Sequence, residues 1–225
     1  METRKSFVVI LLFVTAGCLI MAWVDAILSP NYAIKSSIKL VLFLLIPAGF
    51  ALFDRETSFR QLFKLEKNKI LFPLLLGVGV YGFIIGTYFL IGPYFDLSNI
   101  TVALENNIGV SKSNFIFVAL YISFVNSLLE EFFFRGFAFL SLKKVSSRKI
   151  AYLFSAGAFS LYHVAIMTSW FSPMLFVLLV ISLFIAGLLF NWLNEKNNTI
   201  YPSWMVHLSA NLAINTIGFI LFGII

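Results

Sequence analysis

The chain has 225 residues and a net charge of +6; 60% of its residues are hydrophobic and only 12% are charged. About 25% of the residues of a globular domain are charged, so this sequence cannot coat a water-soluble particle of its size. Intrinsic disorder is excluded too, because disordered chains are poor in apolar residues and rich in charge. The composition predicts an all-α membrane protein whose basic residues face anionic lipid and not nucleic acid.

Seven segments have the length and hydrophobicity of membrane-spanning helices. A helix needs about 20 apolar residues to cross a hydrocarbon core of about 30 Å. The segments cover residues 7–28, 39–53, 70–91, 115–142, 150–168, 173–192 and 200–222; the second is short and the fourth is long. We expect a polytopic transmembrane bundle in two parts, N-terminal helices with an interfacial segment over 1–114 and a second part over 115–225.

The basic residues predict the orientation of these spans. They concentrate in segments 54–69 and 143–149, together with Arg4, Lys5 and Lys196, whereas the opposite side has only Lys35, Lys39 and Lys112. Because Lys and Arg accumulate in cytoplasmic loops, the N-terminus is predicted to be cytoplasmic. Apolar residues among the charges of 54–69 suggest a short helix lying on the cytoplasmic interface.

The N-terminal hydrophobic segment is interpreted as a span and not as a cleaved signal peptide. Its apolar residues continue well past Cys18, beyond the 7–15 residues usual for the hydrophobic region of a signal peptide. Cys18 is the only cysteine, so an intramolecular disulfide is impossible.

Three charged residues, Glu130, Glu131 and Arg135, lie inside the fourth predicted span. A charge near the bilayer centre costs about 2.5–3.5 kcal/mol, which makes an intramembrane ionisable residue a functional-site hypothesis by default. Glu131 and Arg135 are spaced i,i+4 and are expected to form a structural ion pair. Glu130 lies about 100° around the helix from Glu131 and shares its helix face with Asn126. We expect Glu130 to be the less compensated carboxylate and thus the candidate general base.

Both histidines also lie within predicted spans, and they reach the depth of Glu130. Glu130, His163 and His207 are 13, 14 and 11 residues from the nearest Lys of the predicted cytoplasmic loops. At the rise of an α-helix, these separations place all three about 16–21 Å from the cytoplasmic boundary. Asn211 follows His207 at i,i+4 and lies on the same helix face. The spacing predicts one polar site shared by three helices.

These residues form three motifs in chain order. They are Glu130-Glu131-x-x-x-Arg135, Phe159-x-x-x-His163 and His207-x-x-x-Asn211. The set resembles the signature of the CPBP family of CAAX proteases and bacteriocin-processing enzymes, also called the Abi family, which is related to the type II CAAX prenyl endopeptidase. The resemblance covers roughly residues 115–222, and the first three spans carry no motif.

The resemblance implies a membrane endopeptidase of the glutamic type, with its catalytic core over 115–225 and no cofactor or metal. Carried over by position, Glu130 and His163 activate a water molecule, and His207 and Asn211 stabilise the oxyanion; the Glu131–Arg135 pair orients the site. The implied substrate is a membrane-associated peptide or a membrane-anchored protein. Short basic loops and the resemblance favour a bacterial plasma membrane.

Three alternatives remain open from the sequence. Two His and a Glu form a plausible zinc ligand set, so a metalloprotease using the same residues is possible. A second alternative is a non-proteolytic scaffold, an immunity factor or a regulator of a partner protein. A proton-coupled transporter would also use intramembrane Glu and His, but no repeat accompanies them. The four glycines over 77–86 are interpreted as sites of close helix packing.

Overall fold

The computed structural model describes residues 2–53, 60–167 and 171–225; over these ranges the chain is helical and has no strand. Within these described ranges, seven helices are long and apolar enough to cross a membrane, which confirms the predicted bundle. They are Arg4–Leu28 (span 1), Tyr32–Phe50 (span 2), Leu71–Tyr94 (span 3), Phe115–Val145 (span 4), Arg148–Met167 (span 5), Pro173–Asn197 (span 6) and Tyr201–Leu221 (span 7). The predicted end of the fifth span, residue 168, lies outside the described residues.

Span 2 begins earlier than the sequence predicted, at Tyr32. The Asn31 side chain accepts a hydrogen bond from the Ile34 backbone N–H at 3.0 Å and caps the helix, so the following polar residues are helical. The assignment of Lys39 to the non-cytoplasmic boundary is therefore wrong, since this lysine lies inside the bundle with 4% of its surface exposed. A further helix, Ser98–Ile108, connects spans 3 and 4.

The sequence predicts a short interfacial helix within 54–69; residues 54–59 lie outside the described ranges, and the described part is not one continuous helix. From Arg60 the chain forms two short 3-10 turns, Arg60–Phe63 and Lys67–Lys69. Leu62 is buried, and its carbonyl accepts hydrogen bonds from the Ile200 backbone N–H and the Thr199 hydroxyl. Contact with the start of span 7 thus holds this segment against the bundle.

Span 4 is the centre of the bundle and, with 31 residues, the longest described span. Its stretch Glu131–Ser141 is wound as π-helix, and all of its 11 residues are buried. Phe133 stacks on Phe43 of span 2 with ring centroids 3.9 Å apart. The wider π-helical turn is a frequent feature of functional sites. Here it lies directly after Glu130, the candidate base.

Glycine allows two close helix contacts. A β-carbon at Gly77 would lie 2.5 Å from Ser209 Oγ, and one at Gly187 would lie 2.9 Å from Ala156 Cα. These contacts join span 3 to span 7 and span 6 to span 5. The predicted packing role fails for the other three glycines of segment 77–86, which face open space: Gly79, Gly82 and Gly86.

Candidate active site

Spans 4, 5 and 7 bring Glu130, His163 and His207 together, as their equal depths predicted. Nε2 of His207 lies 3.6 Å from Oε2 of Glu130, and Nε2 of His163 lies 3.9 Å from the same oxygen. Glu130 is buried, whereas 18% of the His163 side chain is exposed. The site is thus an enclosed carboxylate flanked by two imidazole nitrogens, and the ring of His163 is partly exposed.

The second carboxylate oxygen of Glu130 is held by donors that come from two helices. Oε1 accepts a hydrogen bond from Lys39 Nζ at 2.5 Å and one from Asn126 Nδ2 at 3.0 Å. Lys39 Nζ also donates to Asn126 Oδ1 at 2.6 Å. The prediction that Glu130 is the less compensated carboxylate is wrong, because the ammonium group of Lys39 on span 2 forms an ion pair with it.

The contacts of His163 determine where its proton lies. Its Nδ1 is 2.7 Å from the Phe159 carbonyl, one turn earlier in span 5. A carbonyl oxygen only accepts hydrogen bonds, so Nδ1 carries the proton and the neutral ring has its lone pair on Nε2. This free lone pair belongs to the nitrogen that approaches Glu130.

His207 is oriented by the neighbouring carboxylate, Glu131. Its Nδ1 lies 2.9 Å from Glu131 Oε1, and its ring stacks on Phe190 of span 6. The other oxygen of Glu131 accepts a hydrogen bond from the Ser203 hydroxyl. Glu131 therefore acts as acceptor on both sides, which assigns the Nδ1 proton to His207 and directs Nε2 toward Glu130.

Glu131 and Arg135 form the predicted ion pair, with Nη1 and Oε1 3.5 Å apart and both side chains buried. The guanidinium lies 4.0 Å from the ring centroid of Phe159 and 4.9 Å from that of Phe190. Among the described residues its nitrogens have no hydrogen-bond partner. Charge attraction and ring stacking therefore hold Arg135 in the core.

Two polar residues that the sequence reasoning missed complete the support of Glu131. Asn194 Nδ2 donates to Ser203 Oγ at 2.6 Å, and the Ser203 backbone N–H donates to Asn194 Oδ1 at 3.2 Å. A signal for Ser203 was available, because it lies four residues before His207 and on the same helix face. Asn194 belongs to span 6, which carries no motif.

Asn211 lies one turn beyond His207 on span 7. Its amide donates a hydrogen bond to the carbonyl of Ile122 at 3.2 Å. Ile122 belongs to the π-helical turns Tyr121–Asn126 of span 4. The structure thus places Asn211 between His207 and the segment that leads to Glu130.

The described residues contain no group of three or more His, Cys, Asp or Glu side chains arranged to hold a metal ion. In addition, the Lys39 ammonium already provides Glu130 with a positive partner. The zinc alternative therefore gains no support from the geometry of the site.

A family model described as type II CAAX prenyl endopeptidase, Rce1-like, matches residues 112–213. No curated protein and no solved structure matches the chain. The matched residues include Glu130, Glu131, His163, His207 and Asn211, whereas Lys39 lies outside them.

Proposed function

We propose that the protein is an intramembrane glutamic endopeptidase. Over residues 112–213 the chain belongs to the Rce1-like family of type II CAAX prenyl endopeptidases, which is a family of proteases. The resemblance inferred from the three motifs is confirmed by this match. The reaction proposed is hydrolysis of a peptide bond in a membrane-associated peptide or protein by an activated water molecule.

The proposed mechanism rests on one observation, the distances between a carboxylate oxygen of Glu130 and the nearest nitrogens of the two imidazoles. Oε2 of Glu130 is 3.6 Å from Nε2 of His207 and 3.9 Å from Nε2 of His163, beyond direct hydrogen-bond length. We propose that a water molecule bridges these polar groups, because water commonly joins polar atoms that lie beyond direct contact. Such a water would have the Glu130 carboxylate and the His163 lone pair as acceptors, which are the groups needed to remove a proton.

The proposed attack forms a bond between the water oxygen and the substrate carbonyl carbon. Glu130, assisted by His163, takes the proton of the water, and the carbonyl electrons move to oxygen as an oxyanion. When the peptide bond breaks, the same proton is delivered to the leaving nitrogen. Protons therefore balance without a cofactor.

His207 and Asn211 are proposed to bind the oxyanion. Preorganised donors aimed at developing charge are usually the largest single term in such catalysis. The Nδ1 proton of His207 is engaged by Glu131, so Nε2 carries a second proton only in the imidazolium. Donation by His207 to an oxyanion therefore requires a ring that carries a proton on both nitrogens before the attack and keeps both of them through the reaction.

Cleavage of a prenylated probe tests this function. We expect the purified full chain in lipid nanodiscs to cleave a quenched fluorescent peptide that ends in farnesyl-cysteine and three further residues. Glu130→Gln should lower kcat by about 100- to 10,000-fold, because proton transfer by a positioned side chain contributes that much. Glu105→Gln, at an exposed position of the Ser98–Ile108 helix, is the matched control and should keep wild-type kcat.

Three outcomes would contradict the proposal. Undiminished cleavage by Glu130→Gln would remove the glutamate from the reaction, and tightly bound stoichiometric zinc would replace the mechanism by metal catalysis. Full biological function of both Glu130→Ala and His163→Ala in the host strain would identify the protein as a non-proteolytic scaffold or regulator.

The orientation proposed places the N-terminus in the cytoplasm of a bacterial cell. Lys143 and Arg148 both pair with Glu195 at one end of the bundle, which gathers positive charge there. In a Cys18→Ser background, an impermeant thiol reagent on intact cells should label Lys112→Cys and leave Lys144→Cys unlabelled. The reverse pattern would invert the orientation.

A further inference from the structure

Span 2 carries a lysine at the centre of the candidate site, although it belongs to the part of the chain that has no motif. Lys39 is 4% exposed and lies on the helix Tyr32–Leu40, outside the residues that match the family. A buried lysine in a membrane span is costly and marks a functional position by default. Nothing in the mechanism above assigns it a role.

Among the described residues, Lys39 contacts Glu130, Asn126 and two aromatic rings. Its ammonium group binds Oε1 of Glu130 at 2.5 Å and Oδ1 of Asn126 at 2.6 Å. It also lies 4.9 Å from the ring centroid of Tyr162 and 5.4 Å from that of Phe43. The two rings form an apolar wall with a weak attraction for the cation. Glu130 is thus its charged partner.

These contacts fix the direction of the carboxylate. Oε1 of Glu130 accepts from both Lys39 and Asn126, and its two donors are also bonded to each other. A carboxylate held in this way cannot exchange its oxygens by rotation without breaking two hydrogen bonds. Oε2 is therefore the oxygen that remains directed at the histidines.

We propose that Lys39 is a positioning residue of the hydrolytic reaction, which rests on the function proposed above. It keeps Glu130 charged and aims Oε2 at the space between the two imidazoles. Lys39 does not touch the reacting atoms and acts only through the carboxylate. By this assignment, the N-terminal spans supply an essential part of the active site.

The rival interpretation is a structural clasp that only ties span 2 to span 4. A clasp predicts that loss of Lys39 changes stability and leaves the chemistry of Glu130 as it was. A positioning role predicts a lower kcat with unchanged KM, and recovery when another cation replaces the lysine. Lys35 provides the matched control, because it lies one turn earlier on the same helix and pairs with Asp25 instead.

The kinetic test uses Lys39→Met, Lys39→Arg and Lys35→Met in the full chain with the farnesylated probe. We expect Lys39→Met to lower kcat by about 100-fold, the cost typical of a small misplacement of a reacting group, with KM unchanged. Lys39→Arg should recover a large part of kcat. Lys35→Met should keep wild-type kcat and KM, although it loses stability because Asp25 is left without its cation. Wild-type kcat in Lys39→Met, or equal losses in the Met and Arg variants, would overturn the proposal.

A second measurement does not depend on cleavage. Dicyclohexylcarbodiimide reacts with uncharged carboxyl groups in membranes, and mass spectrometry locates the adduct. Without its cation, buried Glu130 takes up a proton, because an isolated charge is too costly there. We therefore expect labelling of Glu130 in Lys39→Met but not in the wild type or Lys35→Met. Unchanged labelling would overturn the role of Lys39, whereas absence of wild-type cleavage would count against the proposed function alone.

Discussion

Glu130 and Glu131 are adjacent in the chain but lie in two different polar clusters. The Glu131 cluster consists of Glu131, Arg135, Asn194 and Ser203, and the Glu130 cluster consists of Lys39, Asn126, Glu130 and His163. His207 lies between them, with Nδ1 toward Glu131 and Nε2 toward Glu130. Both clusters are surrounded by aromatic rings, so burial alone does not distinguish them.

The two clusters differ in how completely their carboxylate is engaged. Oε1 of Glu131 meets His207 at 2.9 Å and Arg135 at 3.5 Å, and its Oε2 accepts from Ser203. Glu130 has one oxygen engaged, and the other faces imidazole nitrogens beyond hydrogen-bond length. We call the Glu131 cluster closed because both of its carboxylate oxygens have close partners, and the Glu130 cluster open because one oxygen has none at hydrogen-bond distance. The comparison indicates that the closed cluster supports the site and that the open cluster leaves one oxygen available to a reactant.

The largest effect on stability is expected from breaking the closed cluster at Arg135. Arg135→Met leaves the fully buried Glu131 without its cation, and removing one partner of a buried ion pair costs about 3–5 kcal/mol. We expect a loss of that size in the free energy of unfolding, measured by titration from dodecyl maltoside into mixed micelles with sodium dodecyl sulfate.

The double variant Glu131→Gln/Arg135→Met is the control for this prediction. It removes both charges, so its unfolding free energy should return toward the wild type while cleavage stays impaired because His207 has lost its charged partner. A double variant less stable than Arg135→Met would show that the pair does not stabilise the closed cluster.

A smaller effect is expected at Ser203. Ser203→Ala removes one hydrogen bond to Glu131 and leaves the Asn194 amide without its hydroxyl partner, at a cost of about 1–3 kcal/mol for an unsatisfied buried group. The control is Ser182→Ala, at an exposed position where the hydroxyl bonds only its own helix, and it should change stability by less than about 0.5 kcal/mol. Equal effects at the two serines would mean that Ser203 does not belong to a buried network.

The sequence alone predicted the class of protein, the number of spans and the proximity of Glu130, His163 and His207. Hydrophobic length determines spans because the bilayer thickness is constant, and one helix has one rise per residue. Because the rise per residue is constant, the distances along the chain placed Glu130, His163 and His207 at one depth. The i,i+4 spacing on one helix identified the Glu131–Arg135 pair. These are properties of a single helix or of its position in the membrane.

Only the tertiary structure decided what each carboxylate meets. Lys39 is 91 residues from Glu130 in the chain, and Ser203 is 72 residues from Glu131, so no local spacing relates the partners. The sequence placed Lys39 at the membrane boundary, and Glu130 was therefore expected to have no cation beside it. The packing of span 2 against span 4 brings Lys39 and Glu130 together. Which helices become neighbours depends on side-chain packing between them. That packing determined that both oxygens of Glu131 have close partners, whereas Oε2 of Glu130 faces the histidines beyond hydrogen-bond length.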